Sequence, residues 1–340
     1  MGEVSTIGLD LAKSVFQAHG ADASGAVVFR KKLRRDQVLG FFNSQPKCLV
    51  AMEACAGAHF WARELAALGH ETKLIPPSYV KPFVKRQKND MADAEAICEA
   101  ALRPTMRFVL PKTAEAQAAA TVFRARDLLV RQRTQLINAL RGHLTEFGIV
   151  LRQGANHAPK LIEMVRDPES DIPLAGRTVL QVLAAMLNEV MQKVAELDGE
   201  IARRIKVDQT AKRLMTIPGI GPVTATALLA LAPAPETFKR GRDFAAWVGL
   251  TPLQHSSGGK ERLGRITKKG EATLRRLLII GASSAAKVAA QTASTDTWLG
   301  RLLLRKPRML VIVALANKMA RVAWALMAHG GIYRAPAAAV

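Results

Sequence analysis

Four acidic residues occupy positions where an unpaired acid is costly. Asp10 closes the apolar run Ile7-Gly8-Leu9, and Glu53 closes Val50-Ala51-Met52. Each therefore projects from the end of a strand beside a buried sheet, where acids are seldom kept without a partner. Asp90 and Asp93, in Lys88-Asn89-Asp90-Met91-Ala92-Asp93-Ala94, are spaced to share one helix face. Singly, each has a structural explanation: a turn for Asp10, a helix cap for Glu53, a solvated face for the other two. Together they repel one another unless cations intervene, and an oxygen-only ligand set suits Mg²⁺ or Mn²⁺. Two such ions can activate an attacking oxygen and stabilise a leaving oxygen at a phosphodiester.

A second segment could carry chemistry of another kind. His255-Ser256-Ser257-Gly258-Gly259-Lys260 leads through Arg262, Gly264 and Arg265 to Lys268-Lys269-Gly270. Glycines let the backbone approach a phosphate closely, neighbouring amides can hold its oxygens, and the basic side chains add charge. A serine in such a loop is placed for attack on phosphorus if its proton affinity is lowered. The bland alternative is a flexible polar connector. Upstream, Ile217-Pro218-Gly219-Ile220-Gly221-Pro222 reads as a helix-hairpin-helix, in which the amides around Gly219 and Gly221 meet a DNA phosphate without reading bases.

These groups must be positioned by the elements around them. Short apolar runs at Val4–Leu9, Val15–Gly20 and Ala26–Leu33 suggest an antiparallel meander. Then come a helix (Asp36–Asn43), a strand (Cys48–Met52), a helix (Ala58–Leu68), a strand (Thr72–Ile75) and more helix beyond Pro76-Pro77. That element order fits an α/β RNase H-like, or RuvC-like, domain, whose first and fourth strands are neighbours and whose last helix crosses their ends. Thr113–Phe147 reads as helix. A second long helix starts near Ala175, with Leu180, Leu183, Leu187, Val190, Val194, Leu197 and Ile201 in strict three-four spacing. That is a coiled-coil seam, with its partner in the same chain or another left open. The remainder is mainly α, interrupted by the polar segment Thr251–Gly270. The expected organisation is a nuclease domain over 1–150, a coiled-coil region over 151–205, a helical domain with the hairpin and serine loop over 206–328, and a tail over 329–340.

Charge narrows the partner. The 340 residues carry 49 Lys+Arg against 28 Asp+Glu, a net of +21. Residues 206–328 hold 20 basic and 6 acidic side chains, so 20 − 6 = +14 of that excess lies there. A field of this strength suits a polyanion, because neutralising phosphates releases counterions. The charge is spread over loops and several helices, whereas a membrane-surface protein would concentrate it on one amphipathic helix. Cys48, Cys55 and Cys98 have no metal-site spacing. The N-terminus lacks a signal-peptide pattern, and Met309–Met327 is interrupted by Lys318 and Arg321. A cytoplasmic, nucleoid-associated bacterial protein that does not contact membrane is expected.

In combination these segments resemble the insertion-sequence-110 type of DEDD transposase, in its 1111 branch. The likeness rests on Gly8-Leu9-Asp10-Leu11-Ala12-Lys13, Glu53-Ala54, Lys88-Asn89-Asp90 with Asp93-Ala94, the Pro218–Pro222 turn, Ser256–Gly270 and the Lys318–Met327 helix. It implies DNA cleavage and strand exchange between donor and target, with Asp10, Glu53, Asp90 and Asp93 holding Mg²⁺ (or Mn²⁺). It also implies a C-terminal serine that links covalently to DNA; the motif places it at Ser257, with Ser256 one residue away. Ser256, Gly258, Gly259, Lys260, Arg262, Arg265, Lys268 and Lys269, with Gly219 and Gly221, would bind nucleic acid. No base-reading module is recognisable, and the resemblance implies a structured non-coding guide RNA instead. A homo-oligomer is expected. The competing readings are a metal-only junction endonuclease of RuvC type, a DEDD site-specific invertase, and a non-catalytic DNA-binding architectural protein.

Overall fold

The computed structural model describes residues 3–85, 89–291 and 297–335. Lys88 of the motif and the end of the tail lie outside them. The chain divides into two compact units, 1–117 and 118–340.

The first unit is built on five strands: β1 (Thr6–Asp10), β2 (Val15–Ala21), β3 (Val27–Arg34), β4 (Leu49–Glu53) and β5 (Glu71–Ile75). Their order across the sheet is β3-β2-β1-β4-β5. The meander is antiparallel, while β1–β4 and β4–β5 are parallel. Helices α1 (Val38–Asn43), α2 (Ala58–Ala67), α3 (Pro77–Val80) and α4 (Asp90–Ala101) supply the crossovers and outer layers. Alternation along the strands sorts the two faces. Ile7, Leu9, Val50 and Met52 join a core with Val38, Phe42, Trp61 and Leu65 of α1 and α2. Ala51 and Ile75 face the other way, into a core with Ala96, Ile97 and Ala100 of α4. Because both faces are covered, β1 and β4 are buried almost throughout, which is why their sequences are continuously apolar. The three-layer arrangement leaves the strand ends, and the acids on them, at the edge of the core.

The second unit is mostly helical: α5 (Ala114–Glu146, beginning in the first unit), α6 (Ala158–Arg166), α7 (Leu174–Val207), α8 (Gln209–Leu214), α9 (Pro222–Leu231), α10 (Gly241–Trp247), α11 (Ala272–Gln291), α12 (Trp298–Arg305) and α13 (Arg308–His329). Two short strands, β6 (Pro252–Gln254) and β7 (Leu263–Ile266), pair antiparallel between α10 and α11.

The seam on α7 finds its partner within the chain. Leu180 and Leu187 are buried with Ile137, Leu140 and Leu144 of α5 and Leu161 and Val165 of α6. At the other end, Arg126 of α5 pairs with Asp198 of α7 at 2.6 Å. Early α5 thus meets late α7, and the two helices run antiparallel. Leu180, Leu187, Val194 and Ile201 are buried, whereas Leu183, Val190 and Leu197 are half-buried.

Around α8–α11 and α13 lies the second core, which includes Leu228, Phe244, Leu278, Ala316 and Met319. Helix α13 is the one helix among the described residues long and apolar enough to cross a membrane. Its Ile312, Ala316, Met319, Ala320 and Ala323 face this core.

Candidate active site

The sheet topology places Asp10 and Glu53 side by side. In the parallel β1–β4 pairing Leu9 lies opposite Met52, so the next residue of each strand brings the two acids to the same sheet end. Asp10 stands two residues beyond Gly8, and Glu53 two beyond Ala51, so both project on the face covered by α4.

Helix α4 arrives by close contact. A Cβ on Gly8 would lie 2.2 Å from the Ala94 carbonyl oxygen and 2.6 Å from the Cys98 nitrogen. Only a glycine admits a helix backbone at that distance. The start of the helix is fixed by Asn89, whose side chain accepts a hydrogen bond from the Ala92 amide at 2.8 Å. Asp90 and Asp93 therefore fall in the first turn, where the exposed amides favour negative charge.

Carboxylate oxygens of Asp10, Asp90 and Asp93 lie within 4.8 Å of one another. Glu53 stands outside that cluster, on the adjoining strand end. Its proximity to Asp10 shows electrostatically at Cys55: burial first, then the charges of Glu53 and Asp10, push the thiol's pKa up. Among the described residues, the cations that pair with α4 are engaged by its later acids. Arg30 pairs with Glu95 at 3.0 Å, and Lys85 reaches Glu95 and Glu99 at 3.6 and 3.1 Å. Among the described residues, neither Asp90 nor Asp93 forms an ion pair. A hard divalent ion fits this donor set, which is all oxygen and negatively charged.

The serine segment is an ordered hairpin, where the sequence suggested a polar interruption between helices. Lys260 donates its amide to the Ser257 carbonyl at 3.1 Å, and Gly258 and Gly259 have φ of +54° and +75°. Two central residues with positive φ make this a type I′ turn, whose twist matches the flanking strands. A Gly-Gly pair between two short extended runs was the available signal. The His255 amide donates to the Arg262 carbonyl at 2.8 Å, and the Arg262 amide to Ser256 Oγ at 3.0 Å. The Ser256 hydroxyl is thus held as a local acceptor, while among the described residues that of Ser257 has no hydrogen-bond partner. Ser257, Gly258, Gly259, Lys260, Arg262, Arg265, Lys268 and Lys269 are all exposed.

The base of the hairpin is clamped. Arg275 of α11 donates to the Val248 and Lys269 carbonyls at 2.9 and 2.7 Å, and Asn317 of α13 donates to the Leu250 carbonyl at 3.3 Å. Sequence reasoning passed over both residues, and it quoted Gly8 and Asn89 in their motifs without assigning either a role. A long polar side chain inside a helix does not announce which distant carbonyl it reaches.

The Pro218–Pro222 turn joins α8 to α9. Gly219 has a φ of +87°, and a Cβ there would lie 2.4 Å from the Gly281 carbonyl oxygen of α11. Its glycine is therefore required by packing. A Cβ on Gly221 would meet open space, so that side of the turn is free.

With this geometry in place, the sequence comparisons decide the family. Residues 7–149 match the DEDD transposase family of the IS110 type, and residues 211–296 match the family described as "Transposase IS116/IS110/IS902 family". A Pseudomonas aeruginosa protein named "Probable family 20 transposase" is 48% identical over 97% of this chain and 99% of its own length. The chain belongs to the IS110 transposase family. The transposase of insertion sequence IS1328 from Yersinia enterocolitica is 40% identical, covering 98% of this chain and 99% of its own. That of IS1111A from Coxiella burnetii is 38% identical, with 98% and 92% covered. Both relatives agree with the 1111 branch. As a member of this family the chain is an enzyme that cleaves DNA and transfers strands.

Proposed function

We propose that this transposase cleaves and rejoins DNA in a reaction that uses both divalent ions and a serine. We read the first unit as an RNase H-like nuclease domain, a reading supported by the neighbouring β1 and β4 in its β3-β2-β1-β4-β5 sheet, with one antiparallel meander and two parallel pairs. The observation that carries the reading is the cluster of Asp10, Asp90 and Asp93 within 4.8 Å at the end of β1. Those three carboxylates, with Glu53 beside them, would hold Mg²⁺ or Mn²⁺, and the bound ions would stabilise charge on the phosphate oxygens.

Ser257 is the nucleophile in this reading, since its hydroxyl is exposed and unengaged while that of Ser256 accepts from Arg262. Ser257 Oγ loses its proton and bonds to phosphorus, one bridging P–O bond of the DNA breaks, and the released DNA hydroxyl takes up a proton. The link keeps phosphoester energy, so a DNA hydroxyl from another strand can reverse it. Lys260, Arg262, Arg265, Lys268 and Lys269 would hold the surrounding phosphates. The turn at Gly219 and Gly221 would act as a helix-hairpin-helix, with the open side at Gly221 meeting backbone phosphate and Gly219 serving mainly to seat the turn on α11.

Trapping a protein–DNA adduct on a denaturing gel tests this. Wild type and Ser256→Ala should give the adduct, and Ser257→Ala should not, with DNA binding retained in all three. An adduct from Ser257→Ala would overturn the assignment, and full strand cleavage in EDTA would overturn the metal.

Phosphate contacts fix position and not sequence. We therefore also read the +14 charge of residues 206–328 as serving a structured guide RNA that pairs with donor and target DNA. Recombination at the correct sites by RNase-treated protein would refute this. The protein is read as acting in the cytoplasm, as a homo-oligomer.

A further inference from the structure

A cleft of about 450 Å³ opens beside the aspartate cluster, lined by Gln17, Arg30, Lys31, Lys32, Asn89, Asp90 and Met91. Strand register explains its composition. Asp10 lies opposite Gln17, and Gln17 opposite Lys32, so the three form one row across β1, β2 and β3. Directly opposed residues share a sheet face, which here is the α4 face. Strands about 4.8 Å apart put the Lys32 backbone about 10 Å from that of Asp10.

Three cations of β3 line the cleft, and among the described residues Lys32 is the one of them with neither an ion pair nor a ring contact. Arg30 is neutralised by Glu95 at 3.0 Å. Lys31 also lines the cleft, but its ammonium lies 4.9 Å from the centre of the Phe41 ring, which engages its charge. Lys32 is exposed and makes no ion pair or side-chain hydrogen bond among the described residues. Asn89 already uses its side chain to cap α4. Among the described residues no aromatic ring lines the cleft, so none offers a base a stacking surface. A cation beside the neutral polar Gln17, flanking a cluster of acids that would otherwise repel DNA, matches a backbone phosphate.

We propose that Lys32, with Gln17 beside it, holds a phosphate adjoining the one under attack, so that this cleft carries the DNA strand away from the aspartates. The proposal rests on the reading of Asp10, Asp90 and Asp93 as the cleavage centre. Lys32 is here a positioning residue that aligns the scissile phosphate by holding its neighbour.

The test combines a protein variant with a DNA substitution in single-turnover cleavage by the full-length protein, supplied with its flanking non-coding RNA. Lys32→Ala should slow cleavage about tenfold, as should a neutral methylphosphonate at one of the phosphates next to the cleavage site. Combined, the second change should cost less than about twofold more, because the contact is already lost. Lys32→Arg should restore most of the rate. Equal methylphosphonate penalties in wild type and Lys32→Ala, or wild-type cleavage by Lys32→Ala, would overturn the assignment. Calorimetric titration with Mn²⁺ separates the two levels of the proposal. Lys32→Ala should keep Mn²⁺ binding and Asp10→Asn should lose it. Undiminished Mn²⁺ binding by Asp10→Asn would overturn the cleavage-centre reading and the cleft assignment with it.

Discussion

Replacing Gly8 by alanine adds a single methyl group, far smaller than any ligand change, yet it should disable the aspartate cluster. The new Cβ would lie 2.2 Å from the Ala94 carbonyl oxygen, 2.6 Å from the Cys98 nitrogen and 2.8 Å from the Cys98 Cβ. Two of these three obstacles are backbone, so no rotamer change relieves them. Ordinary carbon–oxygen contact needs a little over 3 Å, and α4 must therefore retreat from β1 by roughly 1 Å. Asp90 and Asp93 ride on that helix, while Asp10 stays on the strand. Two oxygens on one Mg²⁺ ion, each at about 2.1 Å, can be at most about 4.2 Å apart. Oxygens within 4.8 Å of one another need only a small side-chain adjustment to share an ion, whereas a retreat of α4 by a further ångström takes its ligands out of shared reach. Overpacking of this kind costs about 1–3 kcal/mol of stability. Misplacement by about 1 Å costs on the order of a hundredfold in rate. The measurements are Mn²⁺ titration calorimetry and single-turnover DNA cleavage, with circular dichroism confirming that the chain is folded. A folded Gly8→Ala protein with wild-type Mn²⁺ affinity and cleavage rate would show that α4 does not position the ligands.

Three further outcomes are expected. The pKa of His19 is lowered, chiefly by burial, with Glu95 opposing and Arg30 and Lys85 assisting; its Nδ1 is buried without a partner among the described residues. Its unfolded form therefore binds the proton more readily, so stability should fall as pH drops below about 6.5, and His19→Gln should flatten that slope in chemical denaturation between about pH 7 and about pH 5. On α7, Leu187 belongs to the unit's own core, so Leu187→Lys should unfold the second unit by several kcal/mol, as an unpaired buried charge does. Val179, Val182 and Met186, by contrast, are 63%, 59% and 49% exposed on the same helix; on the reading of the protein as a homo-oligomer joined through this face, charging Val182 and Met186 to Lys should reduce the particle mass in light scattering without loss of helicity, and an unchanged mass would count against that face.

Much of the fold was legible because burial on both faces of a parallel sheet writes itself as uninterrupted apolar runs. The five strands lie within two residues of where the runs placed them. Asp10, Asp90 and Asp93 converge because strand-end and helix-start positions follow from those same runs. What escaped was set by distance in sequence. Gly8 needs α4's backbone, Arg275 reaches carbonyls on either side of the hairpin, and Gly219 needs Gly281, all contacts that local pattern cannot encode. The partner of the α7 seam was undetermined for the same reason, since three-four spacing records an apolar stripe and not what covers it. The hairpin at Ser257 was missed because exposed strands do not alternate: β6 is exposed throughout, and β7 is exposed except at half-buried Ile266.

If the aspartate cluster exists for an ion, it should be a burden on the fold when no ion is present. Like charges about 4.8 Å apart repel by roughly 1–3 kcal/mol at an effective dielectric between that of water and of a protein surface. Against this, an acid in the first turn of a helix gains about 0.3–1 kcal/mol from the exposed amides. Repulsion is the larger effect, and Arg30 and Lys85, committed to Glu95 and Glu99, do little to offset it. Asp93 is half-buried and its side chain makes no hydrogen bond among the described residues, so Asp93→Asn removes charge while leaving packing nearly unchanged. In EDTA this variant should unfold at a higher temperature than wild type, by a few degrees. Added Mn²⁺ should then raise the melting temperature of wild type and barely move that of the variant, because only the intact cluster binds the ion in the folded state. An ordinary helix-start acid predicts the reverse: Asp93→Asn would lower the melting temperature in EDTA, and Mn²⁺ would shift both proteins alike. That result would return Asp93 to a structural role and leave Asp10 and Asp90 without their third ligand.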